Sequence, residues 1–111
     1  MEFEFFNKIE FVEFLKSLPI KQRKKLISDI KLVETHDRLW SFQHEKMKLI
    51  NRKEEIYEIR SKFSSNIQRV LLFHKVGNKY VITNCFTKKT NRTPLREINK
   101  AIKRKRLYKG W

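Results

Sequence analysis

Three short runs of β-branched, aromatic and aliphatic residues follow one another in this chain, and they restrict its fold more than any other feature. The runs are Ile56–Arg60, Ile67–Phe73 and Tyr80–Phe86. Each has the length and composition of a β-strand. Gly77 and Asn78 lie between the last two runs, and both residue types tolerate the positive φ angles of a two-residue hairpin. The sequence therefore predicts a meander of antiparallel strands.

Charged side chains on this meander can converge although they are scattered in sequence, because residues on adjacent strands lie side by side. Glu58, Arg60 and Arg69 lie within the runs, and Lys88 and Lys89 follow the last one. The set combines guanidinium and ammonium groups with one carboxylate. It suits metal-free cleavage of RNA, in which the ribose 2′-OH attacks the adjacent phosphorus. Arginine can hold the non-bridging oxygens in bidentate fashion, and lysine can supply charge or a proton.

The orientation of Arg69 cannot be read from strand alternation. Arg69 alternates in phase with Ile67 and Leu71, but Val70 and Leu72 on the opposite face are equally apolar. A run of this kind is buried on both sides. The face of the sheet to which Arg69 points therefore stays open.

The order of these elements resembles the phage-type HigB toxins of the RelE superfamily. The resemblance lies in Tyr57–Arg60, in Arg69–Phe73, and in the segment Phe-Thr-Lys-Lys-Thr-Asn-Arg-Thr-Pro at Phe86–Pro94, which a helix follows. The last segment is the most specific. The resemblance implies a single RelE-like α+β domain over residues 1–111, with an N-terminal strand and helical hairpin on a small antiparallel sheet and a basic C-terminal helix.

The resemblance also implies a set of roles. RelE-superfamily toxins cleave messenger RNA in the ribosomal A site with basic residues and no metal or other cofactor. Arg69 matches the arginine of the central strand and would bind the scissile phosphate. Lys88 and Lys89 would stabilise that phosphate or protonate the leaving group. Arg60 would bind phosphate or hold the sheet together, and Glu58 is a candidate base.

One departure from the pattern concerns the general base. Several RelE-type enzymes place a Tyr or His near the end of this region, whereas Lys88–Arg96 contains neither. Tyr108 and Trp111 are candidate substitutes.

The charge of the chain indicates a polyanionic partner. Lys and Arg total 27 against 12 Asp and Glu, a formal net charge of +15, whereas solubility alone needs a charge of about 2–8. The expected RNA-binding residues flank the strand meander: Lys46, Lys48, Arg52, Lys53, Arg92 and Arg96.

These observations predict the toxin of a type II toxin–antitoxin pair, a ribosome-dependent endoribonuclease that blocks translation. Its partners would be messenger RNA, the ribosome with its rRNA, and a HigA-like helix-turn-helix antitoxin in a hetero-oligomer. Two alternatives remain: a non-enzymatic ParE-like inhibitor of DNA gyrase, and a basic RNA-binding module without catalysis.

The N-terminal third predicts a strand and two helices. Glu2–Phe6 alternates at its start and predicts an edge strand. Asn7 and Glu10 have the spacing of a capping box. The inward stripes are Phe11, Phe14, Leu15 and Leu18 on the first helix, and Leu26, Ile27, Ile30 and Val33 on the second, which should run from about Lys21 to Asp37 after Pro19.

The remaining sequence gives one segment without a regular period and one helix. Leu39–Phe42 shows neither the helical nor the strand period. It should fold back over the core, because an exposed Trp–Phe pair would form an apolar surface patch. Thr93 and Pro94 predict an N-cap and first turn. The helix that follows should place Leu95, Ile98 and Ile102 inward and end before Gly110.

Several kinds of site and location are disfavoured. The three histidines, His36, His44 and His74, are not at ligand spacing, and the single Cys85 allows neither a structural zinc site nor an internal disulfide. The glycines are too few for a phosphate-binding loop. No apolar run reaches a membrane span, and the acidic N-terminus is unlike a signal peptide. We therefore expect a cytoplasmic protein.

Overall fold

The computed structural model describes residues 1–110, which form an α+β domain as predicted. The elements follow the expected order of strand, helices, sheet and C-terminal helix. They are β1 (Glu2–Phe5), α1 (Lys8–Ser17), α2 (Ile20–Glu34), α3 (Arg38–Gln43), β2 (Met47–Asn51), β3 (Ile56–Phe63), β4 (Asn66–Val76), β5 (Lys79–Lys88) and α4 (Leu95–Lys109).

The sheet has the strand order β1-β5-β4-β3-β2, and the predicted meander forms its antiparallel part. The hairpin at Gly77 and Asn78 is confirmed, and Gly77 has a φ of +58°. β1 is an edge strand as expected, but it pairs with β5 in parallel, so the sheet is mixed. β2 was not predicted. It has no long apolar run, and its register is provided by antiparallel pairing with β3.

The helices cover the two faces of the sheet unequally. α1 and α2 pack on one face through a core that includes Leu26, Val33 and Ile59. α4 packs on part of the other face, where Ala101 meets a smaller core with Phe73. The end of that face beyond α4 carries the charged residues considered below. No helix among residues 1–110 is long and apolar enough to cross a bilayer.

Two expectations about the first helices need correction. Asn7 does cap α1, since its Oδ1 accepts a hydrogen bond from the Glu10 amide. The Glu10 carboxylate, however, binds Arg104 of α4 instead of completing a capping box. Ile27 was expected inward on α2, but it is 46% exposed because Leu26 and Val33 take the inward positions.

Two later segments also differ from the expectation. Leu39–Phe42 lies within the short helix α3. Phe42 packs against the core residue Tyr57 at a ring-centroid distance of 5.9 Å, as expected, whereas Leu39 is exposed. Trp40 is covered locally, stacked between His36 and His44 at ring-centroid distances of 3.7 and 4.1 Å. At the start of α4 the N-cap is Pro94, without a side-chain cap, and Leu95 is exposed.

Candidate functional site

The sheet places Arg60 and Arg69 directly opposite one another on β3 and β4. Arg69 alternates in phase with Leu71 and Phe73, which belong to the core under α4. Val70 points to the opposite face, into the core under α1 and α2. The question that the sequence left open is therefore resolved: Arg69 points to the face that α4 partly covers.

Glu58 lies on the same face, two residues before Arg60, and it holds the two arginines together. Its Oε1 accepts a hydrogen bond from Arg60 Nε, and its Oε2 accepts one of 2.5 Å from the Thr93 hydroxyl. Arg69 Nη1 lies 3.9 Å from Glu58 Oε2. Glu58 is fully buried, so in this arrangement it acts as a counter-ion and does not face solvent.

The segment between β5 and α4 closes over this pair. The main-chain carbonyl of Asn91 accepts hydrogen bonds from both arginines, at 2.5 Å from Arg60 Nη2 and 3.1 Å from Arg69 Nη1. The Thr93 hydroxyl accepts a further bond of 3.3 Å from Arg69 Nη1. Asn91 is exposed while Thr93 is buried, so a single layer of residues separates the guanidinium of Arg69 from solvent. We call Lys89–Thr93 the covering segment.

Arg69 is fully buried but incompletely bonded. Its Nε and Nη2 atoms have no hydrogen-bond partner. Desolvation by burial lowers the pKa of Arg69, the Glu58 carboxylate opposes this shift, and the neighbouring charge of Arg60 adds to it. A guanidinium has five donors, and buried donors without partners cost free energy. The site therefore holds unused donors for an oxyanion.

Of the two predicted lysines, Lys88 is the one that β5 brings to this face. Lys88 pairs with Ile67, and Phe86 pairs with Arg69, so both lie on the side of the sheet that carries Arg69. Lys88 is half-buried. Lys89 follows the strand, is exposed, and begins the segment that leads to Asn91.

The expected RNA-binding residues are only partly brought together. Lys48 lies beside Glu58 across β2 and β3 and is exposed. Lys46 is half-buried and paired with Asp29 of α2 at 3.2 Å.

The four others lie around and beyond this end of the sheet. Arg92 is exposed in the covering segment, and the exposed Arg96 lies 3.8 Å from Glu97 at the start of α4. Arg52 and Lys53 lie in the turn between β2 and β3. Four residues of β3, or about 13 Å, separate Ile56 at that turn from Arg60. These two residues are therefore remote from the arginine pair.

Tyr108, one of the two candidate substitutes for the base, does not lie at the arginine pair. Tyr108 packs against Phe73 with a ring-centroid distance of 5.8 Å, and its hydroxyl donates a 2.5 Å hydrogen bond to Glu4. Those partners lie toward the opposite end of the sheet face. Trp111 lies outside the described residues.

Sequence reasoning missed three residues at the site. Asn91 contributes only a main-chain carbonyl, which no side-chain pattern reveals. Thr93 was interpreted as a helix cap, but its hydroxyl is taken by Glu58. Lys62 was detectable, because it follows Arg60 by two residues and so shares its face of the strand. It is exposed and lines a groove with Arg60 and Asn91.

The arginine and lysine side chains of the cluster can bind and polarise an anion by themselves. Within residues 1–110, no group of three or more His, Cys, Asp and Glu residues is arranged to hold a metal ion. Positive charge comes from three adjacent strands. Arg60 and Arg69 form one cross-strand pair, and Lys62 and Lys88 flank Ile67, two residues away along the strands. This is the chemistry of phosphate recognition.

Comparison with known proteins supports a toxin family. Residues 13–106 match the family described as phage derived protein Gp49-like (DUF891), so the match runs from α1 almost to the end of α4. No curated protein matches the sequence. The chain therefore belongs to the phage-derived Gp49-like family, a RelE/ParE-like toxin family.

Proposed function

We propose that this protein is the toxin of a type II toxin–antitoxin system and cleaves messenger RNA at the ribosomal A site. The supporting observation is that a Gp49-like chain places Arg60 and Arg69 side by side on one sheet face, with Lys88 beside them. The net charge of +15 is the expected electrostatic complement of an rRNA and messenger RNA environment. The site of action is then the cytoplasm.

The proposed reaction uses the 2′-OH of the message as the nucleophile. Its oxygen forms a bond to the adjacent phosphorus while the bond from phosphorus to the 5′-oxygen of the next nucleotide breaks. The nucleophile loses its proton to a base, and the leaving oxygen receives a proton from Lys88 or Lys89. Arg60 and Arg69 stabilise the negative charge that grows on the non-bridging oxygens.

Arg69 can take part only when the covering segment moves. Its guanidinium is fully buried and bonded to Asn91 and Thr93. The Arg60 side chain is 20% exposed, Lys88 is half-buried and Lys62 is exposed. We therefore assign first contact with the RNA backbone to these three residues, followed by Arg69.

The general base is Glu58, once the covering segment has moved away from the arginines, or a group of the RNA or the ribosome. Glu58 is the carboxylate nearest to both arginines. When its Oε1 exchanges the bond to Arg60 for a contact with the substrate, that oxygen is freed to accept the 2′-OH proton, while Oε2 keeps its bond to Thr93.

A small DNA-binding antitoxin of the helix-turn-helix class is the proposed regulatory partner. Neutralisation needs a protein that covers the basic face around Lys62, Lys88 and Arg92. An acidic surface on the antitoxin would meet this requirement through charge complementarity.

Primer extension on a reporter message in a cell-free translation reaction tests the proposal. Wild-type protein should create new 3′ ends within A-site codons, and Arg69→Ala should abolish them. Lys24→Ala is the matched control, because Lys24 is an exposed basic residue of α2, which packs on the opposite face of the sheet, and it should cut like wild type. An intact message with active translation would refute the nuclease.

Two other outcomes would point to the alternative functions. Inhibition of gyrase supercoiling without RNA cleavage would establish a ParE-like inhibitor. Salt-sensitive RNA binding that Arg69→Ala leaves unchanged, again without cleavage, would establish a plain binding module.

A further inference from the structure

The two arginines of the proposed site share one acceptor that belongs to the protein itself. The Asn91 carbonyl oxygen receives a hydrogen bond from Arg60 and another from Arg69. An oxygen between two guanidinium groups occupies the place that a non-bridging phosphate oxygen would occupy in a complex. In this structure the main chain of Asn91 therefore substitutes for the substrate.

Thr93 bonds to the same cluster in a different way. Its hydroxyl donates to Glu58 Oε2 and accepts from Arg69 Nη1. It thus bridges the carboxylate and the guanidinium with one oxygen atom, and it is 8% exposed as a residue. Removal of this hydroxyl would leave Glu58 and Arg69 nearly 4 Å apart without a side chain that bonds to both of them.

The unused donors of Arg69 show what the closed arrangement lacks. Nε and Nη2 are buried and have no partner, whereas Nη1 binds both Asn91 and Thr93. Nε and an Nη atom form the edge that binds an oxyanion with two parallel bonds. A phosphate has several oxygens, so one of them can replace the Asn91 carbonyl at Nη1 while another accepts from Nη2, a donor that the protein leaves unsatisfied.

The two ends of the covering segment have different freedom to move. Asn91 and Arg92 are exposed. Thr93 precedes α4, which Arg104 ties to Glu10 with two hydrogen bonds of 2.9 and 3.0 Å. The exposed residues can therefore move away while Thr93 stays with the helix.

We propose that Thr93 is a positioning residue of this site, which keeps Glu58 and Arg69 in place while a phosphate oxygen displaces the Asn91 carbonyl. This inference rests on the proposed nuclease function. When RNA binds, Lys89–Arg92 moves away from the arginines, and Thr93 keeps its position at the start of α4.

The test is single-turnover cleavage of a message on programmed ribosomes, with Thr93→Val and Thr93→Ser. The maximal rate of Thr93→Val should fall about tenfold to a hundredfold, the effect of losing a hydrogen bond to a charged group. Its half-saturating toxin concentration should change less than threefold, because Arg60, Lys62 and Lys88 still bind RNA. Thr93→Ser retains the hydroxyl and should recover most of the rate.

Thr87→Val is the matched control. The Thr87 hydroxyl also donates a hydrogen bond to a buried side chain, that of Gln68 at 2.5 Å, but on the opposite face of the sheet. Its cleavage rate should equal that of wild type. A Thr93→Val protein that cuts at the wild-type rate, or a Thr93→Ser protein as slow as Thr93→Val, would overturn the inference while the nuclease function stood.

A second readout does not depend on cleavage. In nitrogen-15 NMR spectra, the buried Arg69 Nε–H should give a slowly exchanging signal in wild type and Thr93→Ser. Thr93→Val should broaden or lose it with the fold retained. A non-cleavable RNA carrying 2′-deoxyribose at the scissile position should shift this signal in wild type. A wild-type protein that cuts nothing would refute the proposed function, whereas an Arg69 signal that Thr93→Val leaves unchanged would refute the role of Thr93.

Discussion

The buried pair of Glu58 and Arg69 gives a prediction in which the two partners are not equivalent. Both residues are fully buried. Glu58 has three partners, in Arg60, Thr93 and Arg69. Among residues 1–110, Glu58 is the only opposite charge within ion-pair distance of Arg69. Glu58→Gln should therefore destabilise the protein more than Arg69→Met.

The magnitude follows from what each substitution leaves behind. Glu58→Gln removes the counter-charge and leaves a buried guanidinium next to the like charge of Arg60. Breaking a buried pair in this way costs about 3–5 kcal/mol. Arg69→Met leaves a carboxylate that keeps its bonds to Arg60 and Thr93, so the loss should be about 1–2 kcal/mol. A domain of this size has a total stability of about 5–15 kcal/mol, so Glu58→Gln should lose a large share of it.

Urea unfolding followed by circular dichroism measures both values. A lower midpoint with an unchanged slope reports a loss of stability in the native state. The double variant should be more stable than the sum of the single losses predicts, because it contains neither buried charge. Arg52→Met at the exposed far turn is the control and should unfold like wild type. A loss of stability in Arg69→Met that equals or exceeds the loss in Glu58→Gln would refute this reasoning.

Two further predictions concern the rest of the fold. Hydrogen bonds from Arg104 hold the pKa of Glu10 below its ordinary value, so this carboxylate stabilises the fold above its unfolded pKa, and the contribution is lost as pH falls through the folded pKa. Glu10→Gln should lower the free energy of unfolding measured with urea at pH 7 by less than about 1 kcal/mol, because the pair is partly exposed, and its difference from wild type should shrink as pH falls through the folded pKa; a difference that does not change with pH would contradict the assignment. Gly77→Ala should cost about 1 kcal/mol in thermal unfolding, because φ is +58° and no neighbouring atom lies within 4 Å of an added Cβ, so only the backbone term applies; a neutral Gly77→Ala would show that the turn adopts another conformation.

The elements that were predictable from sequence are those specified by local signals. The β3–β5 meander has long runs of strand-forming residues, and the Gly77–Asn78 turn determines its last hairpin. α1 and α4 have clear start or stop residues in Asn7 and Gly110. β2 and α3 lack such signals. β2 is held by its pairing with β3, and in α3 the Trp40 ring is covered by His36 and His44 through an arrangement that no hydrophobic period shows.

The charged cluster of the candidate site was predictable as a set of residues but not as an arrangement. The neighbours of Arg69 in sequence are apolar on both faces, so only the positions of the helices show its direction. Thr93 illustrates competition between local and tertiary partners. A threonine before a proline favours an N-cap, but Glu58, 35 residues earlier in the chain, accepts its hydroxyl hydrogen instead. A buried carboxylate without that donor would be costly, so the tertiary bond prevails.

The charge balance of the cluster connects its stability to its proposed function. Two guanidinium groups face one carboxylate, which leaves one positive charge uncompensated beside the exposed Lys62. Like charges in neighbouring strands are unfavourable, and the protein tolerates Arg69 only by burying it against Glu58 and a main-chain carbonyl. A bound phosphate would supply the missing negative charge and the missing acceptors together. RNA should therefore stabilise the wild-type fold by more than its contacts with exposed lysines provide. Arg69→Met should lose that additional stabilisation, although in the free protein it destabilises the fold less than Glu58→Gln does.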